Sequence, residues 1–139
     1  KWPWIYESYN EYLDNVELNG KYVSEEVLGK RIRQSDIVLG VFGNSQKAQS
    51  VVPNKIYQAL ACRKAVITMK STGIAEFFDE DEVFVSDSQV SAIANAMESL
   101  LTNPNRRKQY AMKGHLKYQE LYMRYQQRFC QFVQQVSES

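Results

Sequence analysis

The stretch best equipped for chemistry is Gly43-Asn44-Ser45-Gln46-Lys47-Ala48-Gln49-Ser50, which continues through Val51 and Val52 into Pro53-Asn54-Lys55. It gathers amides, hydroxyls and a cation among small residues. Pro53 suits the opening of a helix, because its missing N–H would have no partner there in any case. The amino end of a helix presents free N–H groups and a partial positive charge, so phosphate is a natural guest. Lys55 adds a full positive charge that mildly opposes its own helix. An anionic ligand would offset that cost, and local conflicts of this kind gather at functional sites. The same residues also suit an ordinary helix start, and composition alone favours that plainer reading.

The elements that must position this stretch follow from the apolar pattern. Val16 to Gly20 reads as a first strand, and Ser24-Glu25-Glu26 as a capped helix start with Leu28 and Ile32 as its inward stripe. Ile37 to Gly43 is a continuous apolar run, as expected of a strand covered on both faces. Asn44 to Gln49 reads as a polar loop, and the helix after Pro53 turns Ile56, Ala59 and Leu60 inward. A third strand is predicted over Ala65–Met69, a short helix over Ile74–Phe78 and a fourth strand over Val83–Ser86. Asp87 or Ser88 would cap a helix carrying Val90, Ile93, Ala94, Met97 and Leu101. From Asn105 a long helical region carries Tyr118, Leu121, Tyr122, Tyr125, Phe129, Phe132, Val133 and Val136 as its stripe. Strands joined by helix-length crossovers pair in parallel, which makes the class α/β. In such sheets ligands sit beyond the carboxyl ends of the strands, where the Asn44–Lys55 stretch falls.

Bulk properties bound the function. The chain has 139 residues, 44% hydrophobic and 24% charged, the balance of one globular domain. A net charge of +1 argues against a general nucleic-acid or membrane footprint. No apolar run reaches the roughly 20 residues of a membrane-spanning helix. The two cysteines are too few for a disulfide scaffold and suit a cytoplasmic protein. Lys1 is no initiator Met, and the start reads as a cut within a longer protein.

The run SDIVLGVFGNSQKAQSVVPNKIYQALACRKAVITMKSTGIAEFF resembles the donor-binding half of a retaining GT-B glycosyltransferase of the large group-1 type. Its most specific part is Pro53-Asn54-Lys55-Ile56-Tyr57-Gln58-Ala59-Leu60-Ala61. The resemblance implies a parallel-sheet, Rossmann-like half of a GT-B fold with a long C-terminal helical tail. Residues 1–14 would be an incomplete lead-in, 15–103 the nucleotide-sugar-binding domain, and 104–139 a tail packed on it. It further implies a nucleoside-diphosphate sugar as donor, a glycan or lipid-linked hydroxyl acceptor, and a setting in bacterial polysaccharide or glycan synthesis. No metal or other cofactor is implied.

Two glutamates, eight positions apart in the family, align with Ser50 and Gln58. The spacing survives and both charges are gone. Gln58 can still exchange hydrogen bonds with ribose hydroxyls, whereas Ser50 is short for a sugar contact. The family's Gly-Phe-Gly turn is Val51-Val52-Pro53 here, which leaves the amides of Asn54 and Lys55, with the Lys55 ammonium, to meet the diphosphate. Arg63 and Ala65 stand where the family has glycine and proline, and Glu76 matches its Gly-x-x-Glu acid. The implied donor set is Asn44, Ser45, Lys47, Ser50, Asn54, Lys55 and Gln58, with no protein nucleophile assigned. In the family two further strands precede this segment, together with an acceptor-binding domain. The residues before Asn15 (Trp2, Trp4, Tyr6, Tyr9 and Tyr12 among them) are too few to supply both strands. The fragment alone is therefore expected to be inactive, and to pair as a homodimer or to need preceding chain to cover its sheet edge.

The remaining signals favour bland readings. His115, the single histidine, has no ligand or orienting partner at useful spacing and reads as a packing or surface residue. Cys62 and Cys130 read as packing thiols, and Asp79 to Glu82 as a solvated loop rather than a metal site. Arg106, Arg107, Lys108, Lys113, Lys117, Arg124 and Arg128 make the tail basic. A solvated face is the first reading; the second is docking to an acidic partner or peripheral contact with the anionic inner membrane surface. The tail tyrosines read as a core stripe rather than as a nucleic-acid platform. A different class of function stays open: a glycosyltransferase-like binding or interaction module without catalysis.

Overall fold

The computed structural model describes residues 16–17 and 19–137, so the expected lead-in over 1–14 lies outside the described residues. Helix α1 spans Glu25–Gln34; Ser24 caps it by accepting a hydrogen bond from the Val27 amide, and acidic first-turn and basic last-turn residues match the helix dipole. Strand β1 (Ile37–Leu39) leads to a short helix α2 (Gln46–Ser50), and Pro53 then opens helix α3 (Asn54–Ala61). Strand β2 (Ala65–Met69), helix α4 (Thr72–Phe77), strand β3 (Phe84–Ser86), helix α5 (Val90–Leu101) and helix α6 (Pro104–Ser137) complete the chain. The strands form one parallel sheet in the order β1-β2-β3, with Ile37 opposite Ala65 and Ile67 opposite Phe84. The α/β class and the parallel pairing are those expected.

β2 is buried along its whole length, and its side chains alternate between two cores. Val66 joins Ile56, Ala59, Leu60, Ile74, Phe78, Val83 and Leu121 on one face. Ala65 and Ile67 join Ala96 and Leu100 on the other. Ile56, Leu60 and Leu100 are fully buried, and each such side chain contributes about 1.5–3 kcal/mol. Helix α6 starts on the second face, with Tyr110 beside Phe84, and reaches the first face by Tyr118 and Leu121. Gly114 stands at the crossing, where a Cβ would come within 2.6 Å of both the Glu82 carbonyl oxygen and Leu60 Cδ2.

Several expected boundaries shift. The first strand is absent at residues 16, 17, 19 and 20, while Leu18 lies outside the described residues; a strand needs a paired neighbour, and none is present among the described residues. The Ile37–Gly43 run is regular strand only to Leu39, although Gly40 N–H donates to Ile67 O and Met69 N–H to Val41 O beyond it. Two-sided burial falls on β2 instead, because no described strand pairs with the outer edge of β1. The fourth strand and the short helix each shift slightly, to Phe84–Ser86 and Thr72–Phe77. Helix α5 begins after Gln89, not after an Asp87 or Ser88 cap. Its buried stripe is Ala96 and Leu100, while Val90 (84% exposed) and Leu101 stand outside. Cys130 is exposed rather than packed, and so are Tyr122, Tyr125, Phe129, Phe132, Val133 and Val136 of the tail stripe.

Candidate functional site

The segment from Asn44 to Gln58 lies between β1 and β2, beyond the carboxyl end of β1, where parallel sheets place ligands. The stretch read as a loop contains α2. Ser45 caps it, its Oγ accepting from the Ala48 amide at 3.2 Å. Ser50 Oγ donates to Gln46 O at 3.0 Å, so this hydroxyl is turned back onto its own helix. Asn44 and Lys47 stand exposed beside them.

The turn from α2 into α3 is held from outside. Thr72 Oγ1 donates to Gln49 O at 2.7 Å. Gly73 packs so closely that a Cβ there would meet the Val51 amide nitrogen at 2.9 Å and Ser50 C at 3.0 Å. Ser71 caps α4 through the Ile74 amide, which sets Thr72 and Gly73 in place. Neither residue is in the predicted donor set. The Ser71-Thr72-Gly73 turn was the available signal, and its small hydroxyl and glycine side chains suit a close backbone approach.

At the start of α3, Pro53 supplies no side-chain cap. Ile56 N–H is bonded to Pro53 O, while the amides of Asn54 and Lys55 have no acceptor among the described residues. Lys55 and Gln58 are three residues apart and Asn54 and Gln58 four, so the three side chains share a helix face. Partial burial lowers the Lys55 pKa, although the residue is exposed to solvent. No carboxylate of the described residues is within ion-pair distance of it. The exposed ammonium thus has no counter-charge among the described residues.

Helix α3 ends in a Schellman motif: Lys64 N–H donates to Ala59 O and Arg63 N–H to Leu60 O. Arg63 occupies the position where glycine is usual, with φ of 55°, so the departure read in the sequence is an effect on turn geometry. Glu76 is exposed on α4. Together with burial and Tyr125, it raises the pKa of Tyr57, burial being the largest cause.

Other singled-out residues are structural. His115 Nδ1 lies 2.9 Å from Leu60 O, tying α6 to the end of α3. The basic tail is largely neutralised: Arg107 pairs with Asp36, Lys113 with Asp81, Lys117 with Glu82 and Glu120, and Arg124 with Glu120. The acidic turn thus serves partly as a seat for α6. No helix of the described residues is long and apolar enough to cross a membrane.

Residues 4–134 match the family described as glycosyl transferase-like. Among solved structures, the fold is similar to a sucrose-phosphate synthase from Thermosynechococcus elongatus, with a TM-score of 0.74 and 19% sequence identity. The match covers 99% of this chain and 34% of that one. No curated protein sequence matches this chain. The sheet and long terminal helix are accordingly a partial, Rossmann-like GT-B half, as the sequence motifs implied.

Proposed function

This chain belongs to the glycosyl transferase-like family, and from that premise we propose that the corner between α2 and α3 holds the diphosphate of a nucleoside-diphosphate sugar. The Asn54 and Lys55 amides and the Lys55 ammonium meet the pyrophosphate oxygens, and Gln58 fixes the ribose. Asn44, Ser45, Lys47 and Ser50 face the sugar. In the reaction the bond from the sugar's anomeric carbon to the diphosphate breaks and a bond to an acceptor hydroxyl oxygen forms, with retention of configuration. The acceptor proton passes to the leaving diphosphate. The protein stabilises the negative charge that develops there; the helix end and the Lys55 cation do this without a metal. The acceptor is a glycan or lipid-linked alcohol held by chain outside this segment, in cytoplasmic polysaccharide or glycan synthesis.

The observation that carries the reading is Lys55, an ammonium with no counter-ion among the described residues, beside two free helix amides. Thermal unfolding in the presence of UDP, GDP or ADP tests it. A ligand at a hundred times its dissociation constant adds about 2.7 kcal/mol. Lys55→Ala is expected to weaken the diphosphate roughly tenfold and the free nucleoside hardly at all. Equal losses for both would remove Lys55 from the phosphate. The affinity also depends on pH with a definite sign: it holds while Lys55 is protonated and declines as pH rises through its lowered pKa.

One observation favours the second reading, a binding or interaction module without transfer. Ser50 has neither the carboxylate nor the reach of the glutamate it replaces, and its hydroxyl is spent on Gln46 O. Diphosphate binding without turnover of any sugar donor by the longer protein selects that module. Saturating nucleotide with no thermal shift at all excludes the donor-binding reading and favours an interaction module that binds no nucleotide.

A further inference from the structure

A groove of about 390 Å³ runs along the outer edge of β3, separated by β2 from the α2–α3 corner. Its volume falls within the usual range of small-ligand sites. Lys70, Glu80, Asp87 and Arg106 line it together with the rings of Phe84 and Tyr110.

Its charges are balanced yet uncommitted. None of these four side chains forms an ion pair among the described residues. Arg106 is nevertheless fixed in place. Its Nη1 donates to Ser99 Oγ at 2.7 Å, and the guanidinium carbon lies 5.1 Å from the Phe84 ring centroid and 5.9 Å from that of Tyr110. Its Nε and Nη2 donors have no partner among the described residues. A preorganised fork of donors thus shares one groove with two free carboxylates.

The lining selects its ligand by elimination. A phosphate would meet Glu80 and Asp87, and a cation would meet Lys70 and Arg106. An apolar molecule would gain nothing from these four charged side chains, which are exposed to water, and would cost them part of their hydration. A neutral polyol satisfies every one, because each hydroxyl both donates to a carboxylate and accepts from a guanidinium or ammonium. Adjacent hydroxyls match the spacing of a forked donor, and the C–H face of a sugar ring can lie against an aromatic ring. We infer that this groove is a saccharide-binding site, non-catalytic and distinct from the proposed donor corner. It holds a neutral glycan unit, and its existence does not depend on diphosphate binding at Lys55.

The probes are sucrose, maltose and cellobiose, titrated into the full chain while the backbone amide resonances are followed by NMR, with inorganic pyrophosphate as the anionic control. A disaccharide is expected to move the amides of Lys70 and Phe84–Asp87 without moving those of Asn54 and Lys55. Asp87→Asn and Arg106→Gln should each weaken that binding roughly tenfold, whereas Lys55→Ala should leave it unchanged. Asp87 is exposed, so its variant keeps the fold even if loss of Arg106 disturbs the Phe84 contact. Saturating disaccharides that move none of the groove amides overturn the inference. So does pyrophosphate moving them in place of sugar, or disaccharide binding that survives both variants. Failure of nucleotide binding at the donor corner leaves this result untouched.

Discussion

Helix α6 contains two regions that share one sequence pattern and differ in almost everything else. Residues 104–121 cross the sheet and are tied to it along their length. Arg107 reaches Asp36 and the carbonyls of Leu100 and Leu101, and His115 reaches Leu60 O. Gly114 sits under the Glu82 carbonyl, and Leu121 is 3% exposed. Residues 122–137 continue the apolar spacing with Tyr122, Tyr125, Phe129, Phe132 and Val136, yet every one of the described residues from Tyr122 to Ser137 is exposed. Phe129 is 65% exposed. Helical periodicity reports that one face prefers to leave water. Burial itself requires another surface opposite that face.

Substitutions should sort along this division, and the sharpest is Leu121→Ala. It removes a buried side chain from the α3–α4 core and should cost about 2–4 kcal/mol in denaturant unfolding. Gly114→Ala comes next, at about 1–3 kcal/mol. The atoms its Cβ meets include a backbone carbonyl that cannot rotate away. A neutral result there would mean that α6 is not seated against Glu82.

The Glu82 carboxyl is a subtler probe of the same seat. Burial raises its pKa, outweighing the hydrogen bond from the Asp79 amide and the nearby Lys117 ammonium. A carboxyl held more tightly protonated in the folded state favours folding fully below the ordinary glutamate range. That contribution is lost as pH rises through the raised pKa. Unfolding free energies measured against pH should therefore show a decline across that window in the parent chain. Glu82→Gln should lack the decline, and parallel curves would remove Glu82 from the account. The smallest effect belongs to the outer half: Phe129→Ser should alter stability by no more than about 0.5 kcal/mol. A loss as large as that of Leu121→Ala would show that something covers this stripe in solution and would break the comparison.

The α2–α3 corner illustrates the same limit at the scale of a site. Pro53 as helix opener, the inward trio Ile56, Ala59 and Leu60, and the β2 boundaries were legible, because each follows from local chemistry over a few residues. The helix hidden in the Asn44–Ser50 stretch was not. Its five residues present no apolar face of their own, and what steadies them comes from Thr72 and Gly73, more than twenty positions away. The direction of the Ser50 hydroxyl and the missing counter-ion of Lys55 were equally beyond reach, since both depend on which groups the fold brings near.

From its order of residues alone, this protein declares parallel strands linked by helices, a phosphate-friendly helix start and an amphipathic tail. These are short-range consequences of turn residues, capping groups and hydrophobic period. Folding in three dimensions decided which strand lies in the middle of the described sheet, where the tail stops being covered, and how the Lys55 charge is left unbalanced. Each of those outcomes is a matter of neighbours distant along the chain, and packing and electrostatics depend on the distance between atoms in space.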